Sequence, residues 1–516
     1  MFAKNIDMKK NNLFSGALIL SVGGVLAKIF SAIYRIVLTR ILGGEGIGLY
    51  QLVFPLYSLC VVIATAGLPM AISKVISKHK DNQSQIIKKC LLITSLLALL
   101  LGFVLAAVSK PLADIQGASE ISVCYVILAP TIILISASSV LRGYFQGVGY
   151  FTPSTVSNII EQFTKLIFGL TMCIALVKVG LFAAIVGAMA AISISELFSL
   201  ATLLIYLKKN PPTNNANHNH LPVKEIFKDV WPITLTNVIL PITGFVDSVV
   251  VVNLLAINFS KQMAIFMYGV ESGAVASLVS LPTIFSFAIA SVLLPSLTAT
   301  GHVYNKTHKL ALGLKIVLII TLPCVLCFLL IPDKLIEILY ANKLSGYGVE
   351  GLNLAYRLLA ISGLGVVFLA INQLYSSCLQ AMEKRIVTIR NLIIAVVVKY
   401  VIQLVFMPSA MINIYALAIA NTACYITAMV LNHIEIGISF PLRFDYMFMC
   451  KLLLCNVVLL LSIVSVFMIC NGAVCSFLGL ILVGLIYIAS LFVFKVFNKK
   501  DVAMLKYGTI KRWRFV

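Results

Sequence analysis

Charged side chains inside long apolar stretches are the residues of this sequence with the most distinctive chemistry. The set comprises five cations and three acids: Lys28, Arg35, Lys165, Arg357, Lys399, Glu161, Glu196 and Asp247. Each charge at the centre of a bilayer costs about 2.5–3.5 kcal/mol on insertion scales, so charges kept at that depth generally face the interior of a helix bundle. We therefore expect these residues to face inward and to form a functional site.

Spacing places several of these charges on shared helical faces. Lys28 and Arg35 are seven residues apart, and Glu161 lies four residues before Lys165, so each pair shares one face of a helix. Five cations against three acids leave two positive charges, which predicts a site of net positive potential. Lys acts toward phosphate as a point charge and Arg as a bidentate fork. A diphosphate is the expected ligand, with Lys28 and Arg35 as first choice. The full set of predicted binding residues is Lys28, Arg35, Glu161, Lys165, Arg357 and Lys399.

Motifs for cofactors and metals are weak or missing. No nucleotide-binding loop of the form G-x-x-x-x-G-K-[ST] occurs, which argues against direct use of ATP. Cys324 and Cys327 form a C-x-x-C inside an apolar stretch, without metal partners nearby. His218 and His220 lie in a polar tract typical of a solvated linker. We expect no catalytic residue, no cofactor and no metal, and an energy source in an ion gradient, the membrane potential or the substrate's own gradient.

The apolar stretches that position these side chains are long enough to cross a membrane. A hydrocarbon core about 30 Å thick needs about 20 mostly apolar helical residues, and 61% of the 516 residues are hydrophobic whereas 11% are charged. This composition predicts an all-α integral membrane protein with about 14 transmembrane helices. The predicted spans are 13–39, 48–77, 86–108, 120–147, 153–176, 181–207, 226–254, 270–298, 307–331, 352–380, 386–408, 411–433, 448–471 and 473–498.

A polar, proline-led tract after the sixth span, residues 211–220, predicts a flexible cytoplasmic linker between two lobes of six helices. The predicted divisions are an N-terminal lobe at 1–207, the linker at 208–225, a C-terminal lobe at 226–433, and two further spans with a basic tail at 434–516. A parallel internal repeat supports the two lobes. Gln146 precedes Lys165 by 19 residues, and Gln380 precedes Lys399 by the same separation.

The net charge of +21 follows membrane topology. Most of the 39 Lys and Arg residues fall in the two termini and in the even-numbered gaps between spans, and positive charge accumulates on the cytoplasmic side. We therefore predict a multi-pass protein of the cell membrane with both termini in the cytoplasm. The basic tail at 495–514 is expected to contact anionic membrane lipid. A charge distribution set by topology argues against nucleic acid as a partner.

Several motifs resemble those of a known family. The stretches are Tyr34–Gly43, Gly46–Gln51, Ala66–Lys74 and Leu141–Gly147, followed by Thr152-Pro153 and Glu161-Gln162. Together they resemble the stage V sporulation protein B family, in the polysaccharide transporter branch of the multidrug/oligosaccharidyl-lipid/polysaccharide exporter superfamily, which is related to lipid II flippases.

That resemblance implies a function and a mechanism. It implies a two-lobe fold with alternating access that flips an undecaprenyl-diphosphate-linked saccharide, lipid II for the spore cortex in particular. Related lipid II flippases carry arginines on their first helix, and Lys28 is similar in position to one of them. Those relatives also carry arginine in helices two and eight, where this sequence has none. Some superfamily relatives bind sodium beside an acid of helix seven, and Asp247 is similar in placement, which makes it the candidate for coupling to a monovalent cation. Lys399 is expected to supply an ammonium group in place of that ion.

Other functions remain open at this stage. A cation-coupled multidrug exporter would need an acidic cavity, which the excess of Lys and Arg argues against. An integral-membrane glycosyltransferase or polymerase would use a carboxylate base with a diphosphate leaving group, and such enzymes usually have large outer loops that are not found here. A structural scaffold would leave the charges within the spans unexplained. A flippase that makes and breaks no bond, and is therefore not an enzyme, is the favoured interpretation.

Overall fold

The computed structural model is helical throughout the part of the chain that it describes, with no β-strand in that part. The described residues are 13–78, 82–213, 223–298, 303–341, 343–440, 445–469 and 472–497. The chain divides into two compact units, Met1–Gly273 and Ala274–Val516. The lobe boundary that we place at 208–225 stays a prediction. Half of that linker, residues 214–222 with His218 and His220, and most of the basic tail lie outside the described residues.

Long helices follow the apolar stretches because each backbone hydrogen bond inside a bilayer must be made within the segment. The first nine are α1 (Leu13–Thr65), α2 (Leu68–Lys78), α3 (Gln83–Ala107), α4 (Ser109–Ile115), α5 (Ser122–Val148), α6 (Thr152–Val177), α7 (Leu181–Lys209), α8 (Val223–Leu255) and α9 (Lys261–Gly269). A π-helical turn, Val270–Val275, follows α9. The others are α10 (Ala276–Thr298), α11 (Val303–Leu330), α12 (Pro332–Tyr340), α13 (Val349–Leu364), α14 (Val366–Ala381), α15 (Arg385–Phe406), α16 (Tyr415–Ser439), α17 (Tyr446–Ile469) and α18 (Ala473–Val493).

The helices match the predicted membrane spans. Among the described residues, 12 helical segments are long and apolar enough to cross a bilayer, and the α13–α14 pair, bent by 43° on either side of Gly365, makes 13 if counted as one span. One of these segments, Ile19–Lys78, includes most of the first predicted span and all of the second. Each predicted span therefore has a helical counterpart, and the prediction of an all-α, multi-pass membrane fold is confirmed.

The first two predicted spans meet without a loop. Helix α1 continues from one to the other, and Gly43 interrupts it with a non-helical backbone conformation, φ 70° and ψ −173°. A residue with a Cβ atom adopts positive φ only at a cost, whereas glycine does so readily. A sharp break at a single glycine thus replaces the eight-residue gap expected between residues 39 and 48.

Glycines just after this break pack against α9. A Cβ atom added at Gly48 would collide with the carbonyl oxygen of Ile265, and one added at Gly269 would collide with the backbone of both Gly44 and Gly48. Gly44 and Gly48 are four residues apart, as are Gly269 and Gly273. Two G-x-x-x-G pairs therefore allow the backbones of α1 and α9 to approach closely, as small residues do at other membrane helix interfaces.

An apolar cluster fixes the helices that carry the polar residues described below. It includes Ile72 of α2, Ile86 of α3, Val140 and Phe145 of α5, and Leu203 of α7, all nearly inaccessible to solvent. In a bilayer such packing stabilises through close van der Waals contact rather than through transfer from water. The cluster holds α5 and α7 at a fixed separation.

The internal repeat extends to whole helices. The separation that relates Gln146 to Gln380 also relates Leu181, the first residue of α7, to Tyr415, the first residue of α16. The same separation, counted from the start of α6, ends within one residue of the start of α15. The three consecutive helices α5–α7 and α14–α16 therefore occur with the same spacing in both units.

Helices α17 and α18 pack against each other and against α11 in the C-terminal unit. Asp445, just before α17, pairs with Lys315 of α11 at 2.9 Å and accepts the backbone N–H of Phe448. Partial burial acts to raise the pKa of the Asp445 carboxyl group, but these hydrogen bonds and the charge of Lys315 outweigh it, so the pKa is lowered. The ion pair anchors the first turn of α17 to α11.

Candidate functional site

An ion pair between α5 and α6 is the first element of the site. Nη2 of Arg142 donates to Oε2 of Glu161 at 2.7 Å. The same guanidinium donates to Oγ of Ser199 on α7 at 2.8 Å and to Oγ of Ser157 on α6 at 3.2 Å. Glu161 also accepts from Nε2 of Gln162 at 2.7 Å. Arg142 therefore ties three helices together.

Our reading of the sequence missed Arg142. It lies close to the end of its span, where a basic residue is normally explained by topology. The available signal was its position in the motif Leu141–Gly147, with an acid 19 residues further along. Two helices joined by a short turn bring residues at such a separation to the same depth, so the partner of Glu161 could have been sought there.

Lys165 lies one helical turn after Glu161 and forms no ion pair with any described residue. Its Nζ atom lies over the rings of Tyr34 and Phe54 on α1, 5.3 Å and 5.7 Å from their centroids. Aromatic faces attract a cation, more strongly where water is excluded. The ammonium group is thus held by two rings and keeps its donors for another partner.

Arg35 on α1 contacts the π-helical turn. Its Nη2 atom donates to the carbonyl oxygen of Ser272 at 2.7 Å, and Nε2 of Gln51 donates to the same oxygen at 2.6 Å. A π-helical turn leaves backbone carbonyls without their usual helical partners. Two side chains on either side of the Gly43 break therefore satisfy one freed acceptor.

Electrostatic contacts join these groups into one cluster within the N-terminal unit. Lys165 is within electrostatic range of Glu161, Glu196 and Arg35. Tyr268 on α9 is within range of both Arg35 and Asp247. The structure thus brings together four of the predicted residues, Arg35, Glu161, Lys165 and Asp247. Lys28 lies two turns before Arg35 on α1 and is half-buried.

The remaining predicted residues belong to the C-terminal unit. Lys399 on α15 is 5% exposed, with its Nζ atom 5.8 Å from the centroid of the Tyr400 ring. Arg357 on α13 is exposed, and its part in the site stays a prediction. Arg357 is in the third turn of α13, on the side of the helix away from the buried face formed by Leu354, Leu358 and Leu359.

The charge balance of the N-terminal unit differs from that expected. The count of five cations and three acids omitted Arg142 and Glu271, and Glu271 in the π-helical turn is 3% exposed. These two residues add one charge of each sign, and two of the five cations, Arg357 and Lys399, belong to the C-terminal unit. The charges named for the N-terminal unit are therefore four cations and four acids: Lys28, Arg35, Arg142 and Lys165, with Glu161, Glu196, Asp247 and Glu271. The predicted positive excess is therefore not a property of this cluster as a whole, and the charge available to a ligand depends on which pairs are already made.

An amide network occupies the related position in the C-terminal unit. Asn391 donates to Asn432 at 2.9 Å, and Asn432 donates to Asn372 at 2.8 Å and to Ser376 at 3.0 Å. The separation of the internal repeat relates Ser376 to Arg142 and Asn391 to Ser157. The three helices of the repeat are thus joined by a charged network in one unit and by neutral amides in the other.

A sequence profile described as polysaccharide biosynthesis protein matches residues 13–301, more than half of the chain. The chain belongs to this family. Among its relatives in Bacillus subtilis, the membrane protein YabM is 30% identical over 317 residues, which span 59% of this chain and 59% of YabM. Stage V sporulation protein B is 27% identical, with 65% of this chain and 68% of that protein covered. The lipid II flippase MurJ is 23% identical, with 76% and 77% covered. The resemblance stated from the motifs is confirmed.

Solved structures share the fold of this chain. The lipid II flippase MurJ in an inward closed conformation superimposes with a TM-score of 0.70 at 14% identity, covering 92% of this chain and 98% of that one. An inward-facing multidrug resistance MATE transporter of the MOP superfamily gives 0.61 at 15% identity, covering 83% and 99%. At such low identity these likenesses show the fold alone. Two of these proteins, the lipid II flippase and the multidrug resistance transporter, are named for transport rather than for catalysis.

Proposed function

We propose that this protein moves an undecaprenyl-diphosphate-linked saccharide, specifically lipid II, from the inner to the outer leaflet of the cell membrane by alternating access. No bond is made or broken. The proposal draws on the relatives, one of which is a lipid II flippase and another a stage V sporulation protein. It includes cytoplasmic termini, two lobes divided at 208–225, and Asp247 as the residue that couples transport to a monovalent cation.

The state of Lys165 is the observation that carries the substrate assignment. It is held among aromatic rings, makes no ion pair with a described residue, and lies within electrostatic range of Arg35. Two cations held near one another in a membrane are unfavourable unless an anion joins them. A diphosphate supplies two negatively charged groups for one ammonium and one guanidinium.

Glu161 enters this proposal as a residue that positions Lys165 rather than as a direct ligand of the phosphate. Its two oxygens accept from Arg142 and Gln162, and a carboxylate repels phosphate. Lys28, Arg357 and Lys399 remain proposed contacts for the headgroup. Their part is secondary to that of Arg35 and Lys165.

Lys165→Met is expected to abolish transport, because it removes the ammonium and keeps an unbranched side chain among the rings. The measurement is the exposure of lipid II at the outer leaflet of proteoliposomes. Lys178→Met is the matched control, since Lys178 is exposed just beyond the end of the same helix and should leave the rate unchanged. Transport at the normal rate by the Lys165 variant would remove this site from the substrate path.

Arg35→Ala is expected to lower lipid II exposure at least tenfold while leaving membrane insertion intact. The side chain is the proposed second ligand for phosphate, and Gln51 still satisfies the Ser272 carbonyl in the variant. Arg40→Ala, at an exposed position on the same helix, provides the control. If export of an organic cation fell in the Arg35 variant while lipid II exposure did not, the multidrug exporter alternative would replace our proposal.

A further inference from the structure

A carboxyl pair in the N-terminal unit has a role that the proposed function does not use. Glu196 on α7 is 4% exposed, and its Oε2 atom has no hydrogen-bond partner among the described residues. Glu196 lies within electrostatic range of the Glu161 carboxyl group. Two carboxylates repel each other and can only accept hydrogen bonds, so a proton on one of them favours their proximity. Glu161 already accepts from Arg142 and Gln162, which leaves Glu196 as the better site for that proton.

Charged and titratable groups face Glu196 from each helix packed against α7. These helices are α1, α5 and α6. The groups are Tyr57 of α1, Arg142 of α5, and Glu161 and Lys165 of α6. The Tyr57 hydroxyl is buried and, like Glu196 Oε2, has no partner within hydrogen-bond distance in the described part of the chain.

Arg142 and Lys165, the two cations near Glu196, differ in the partners that they already have. Arg142 is committed to Glu161 at 2.7 Å and to Ser199 at 2.8 Å. Lys165 forms no ion pair with a described residue, and its Nζ atom lies over the Tyr34 and Phe54 rings. Lys165 is therefore the cation that a deprotonated Glu196 would attract, and the same ammonium is the one proposed to bind phosphate.

We propose that Glu196 is a proton-binding site whose occupancy decides whether Lys165 is available to an anionic ligand. When Glu196 holds its proton, the Lys165 ammonium is uncompensated and binds phosphate. When the proton leaves, the Glu196 carboxylate competes with phosphate for the same ammonium. By linkage, phosphate on Lys165 must in turn favour the proton on Glu196. The identity of the anion rests on the proposed function, whereas the proton site does not.

Labelling with dicyclohexylcarbodiimide tests the proton site on the full-length wild-type protein in detergent. This apolar reagent adds to protonated carboxyl groups, whose proton passes to the reagent's nitrogen, and the resulting acylurea is found by peptide mass spectrometry. We expect modification of Glu196 that declines as pH rises, with none in Glu196→Gln. Asp114, an exposed carboxyl group, is the control. Absence of labelling at every pH, or labelling independent of pH, would overturn the proton site, and neither result depends on a variant that folds.

Binding of undecaprenyl diphosphate to the protein in nanodiscs tests the linkage. Uptake of one proton with the ligand makes the Kd rise by up to tenfold for each pH unit above the titration of the site. The Glu196→Gln variant, which cannot ionise, should bind tightly with no such dependence. An equal pH dependence in the variant would overturn the role of Glu196. A failure of the lipid to bind at any pH would overturn the lipid substrate, while pH-dependent labelling would still support the proton site.

Discussion

Replacing Arg142 with methionine is expected to lower the free energy of unfolding by about 3–5 kcal/mol, the cost of leaving a buried charge without its partner. The substitution removes the 2.7 Å ion pair with Glu161 and the hydrogen bonds to Ser157 and Ser199. Glu161 is then left with Gln162 as its hydrogen-bond donor. Denaturation of the purified protein in mixed detergent micelles measures the change.

The double variant Arg142→Met/Glu161→Met provides the matched control. Removal of both charges leaves neither unpaired, and replacement of a buried ion pair by apolar side chains is often close to neutral for stability. We therefore expect the double variant to recover most of the stability lost in the single variant. Simple addition of the two single effects would show that the pair does not act as a unit.

Gly269→Ala is expected to lower the free energy of unfolding by about 3 kcal/mol. The new methyl group would collide with backbone atoms of Gly44 and Gly48, which cannot rotate away as a side chain can. Overpacking alone costs about 1–3 kcal/mol. Separation of α1 from α9 would also lengthen the hydrogen bonds that Arg35 and Gln51 make to Ser272, and a typical hydrogen bond contributes about 0.5–1.5 kcal/mol.

Gly437→Ala is the control for this prediction. Gly437 lies near the end of α16, and an added Cβ atom would meet nothing within 4 Å. Alanine is the better helix former by about 0.8–1.0 kcal/mol, so this variant should be unchanged or slightly more stable by the same denaturation measurement. A Gly269 variant that behaved like the Gly437 variant would show that the close approach of α1 and α9 is dispensable.

Hydropathy was sufficient to predict the membrane fold, because each span is a continuous apolar stretch of the sequence. The break at Gly43 and the π-helical turn at Val270–Val275 could not be read in the same way. Both depend on backbone conformation within a stretch whose composition favours a helix. The glycines that mark the α1–α9 contact are visible in the sequence, but their partners are more than 200 residues away.

The sequence predicted which residues belong to the candidate site better than it predicted which of them form ion pairs with one another. The cost of charge within a bilayer identified Arg35, Glu161 and Lys165 from the sequence, and the structure places them in one cluster. Pairing depends on the depth and rotation of each helix, which hydropathy does not specify. For that reason the partner of Glu161 was missed, and Glu271, in the π-helical turn, was omitted from the charge count.

The Ser272 carbonyl has two donors, and this redundancy has a consequence for the order of events in transport. A carbonyl oxygen has two lone pairs, and here both donors come from α1, one on each side of its break. If Arg35 turns toward an arriving phosphate, Gln51 still donates to the Ser272 carbonyl oxygen. The movement of Arg35 therefore leaves no unsatisfied polar group in the bilayer. In the proposed mechanism, Arg35 can therefore leave the Ser272 carbonyl to capture the substrate before α1 separates from the π-helical turn.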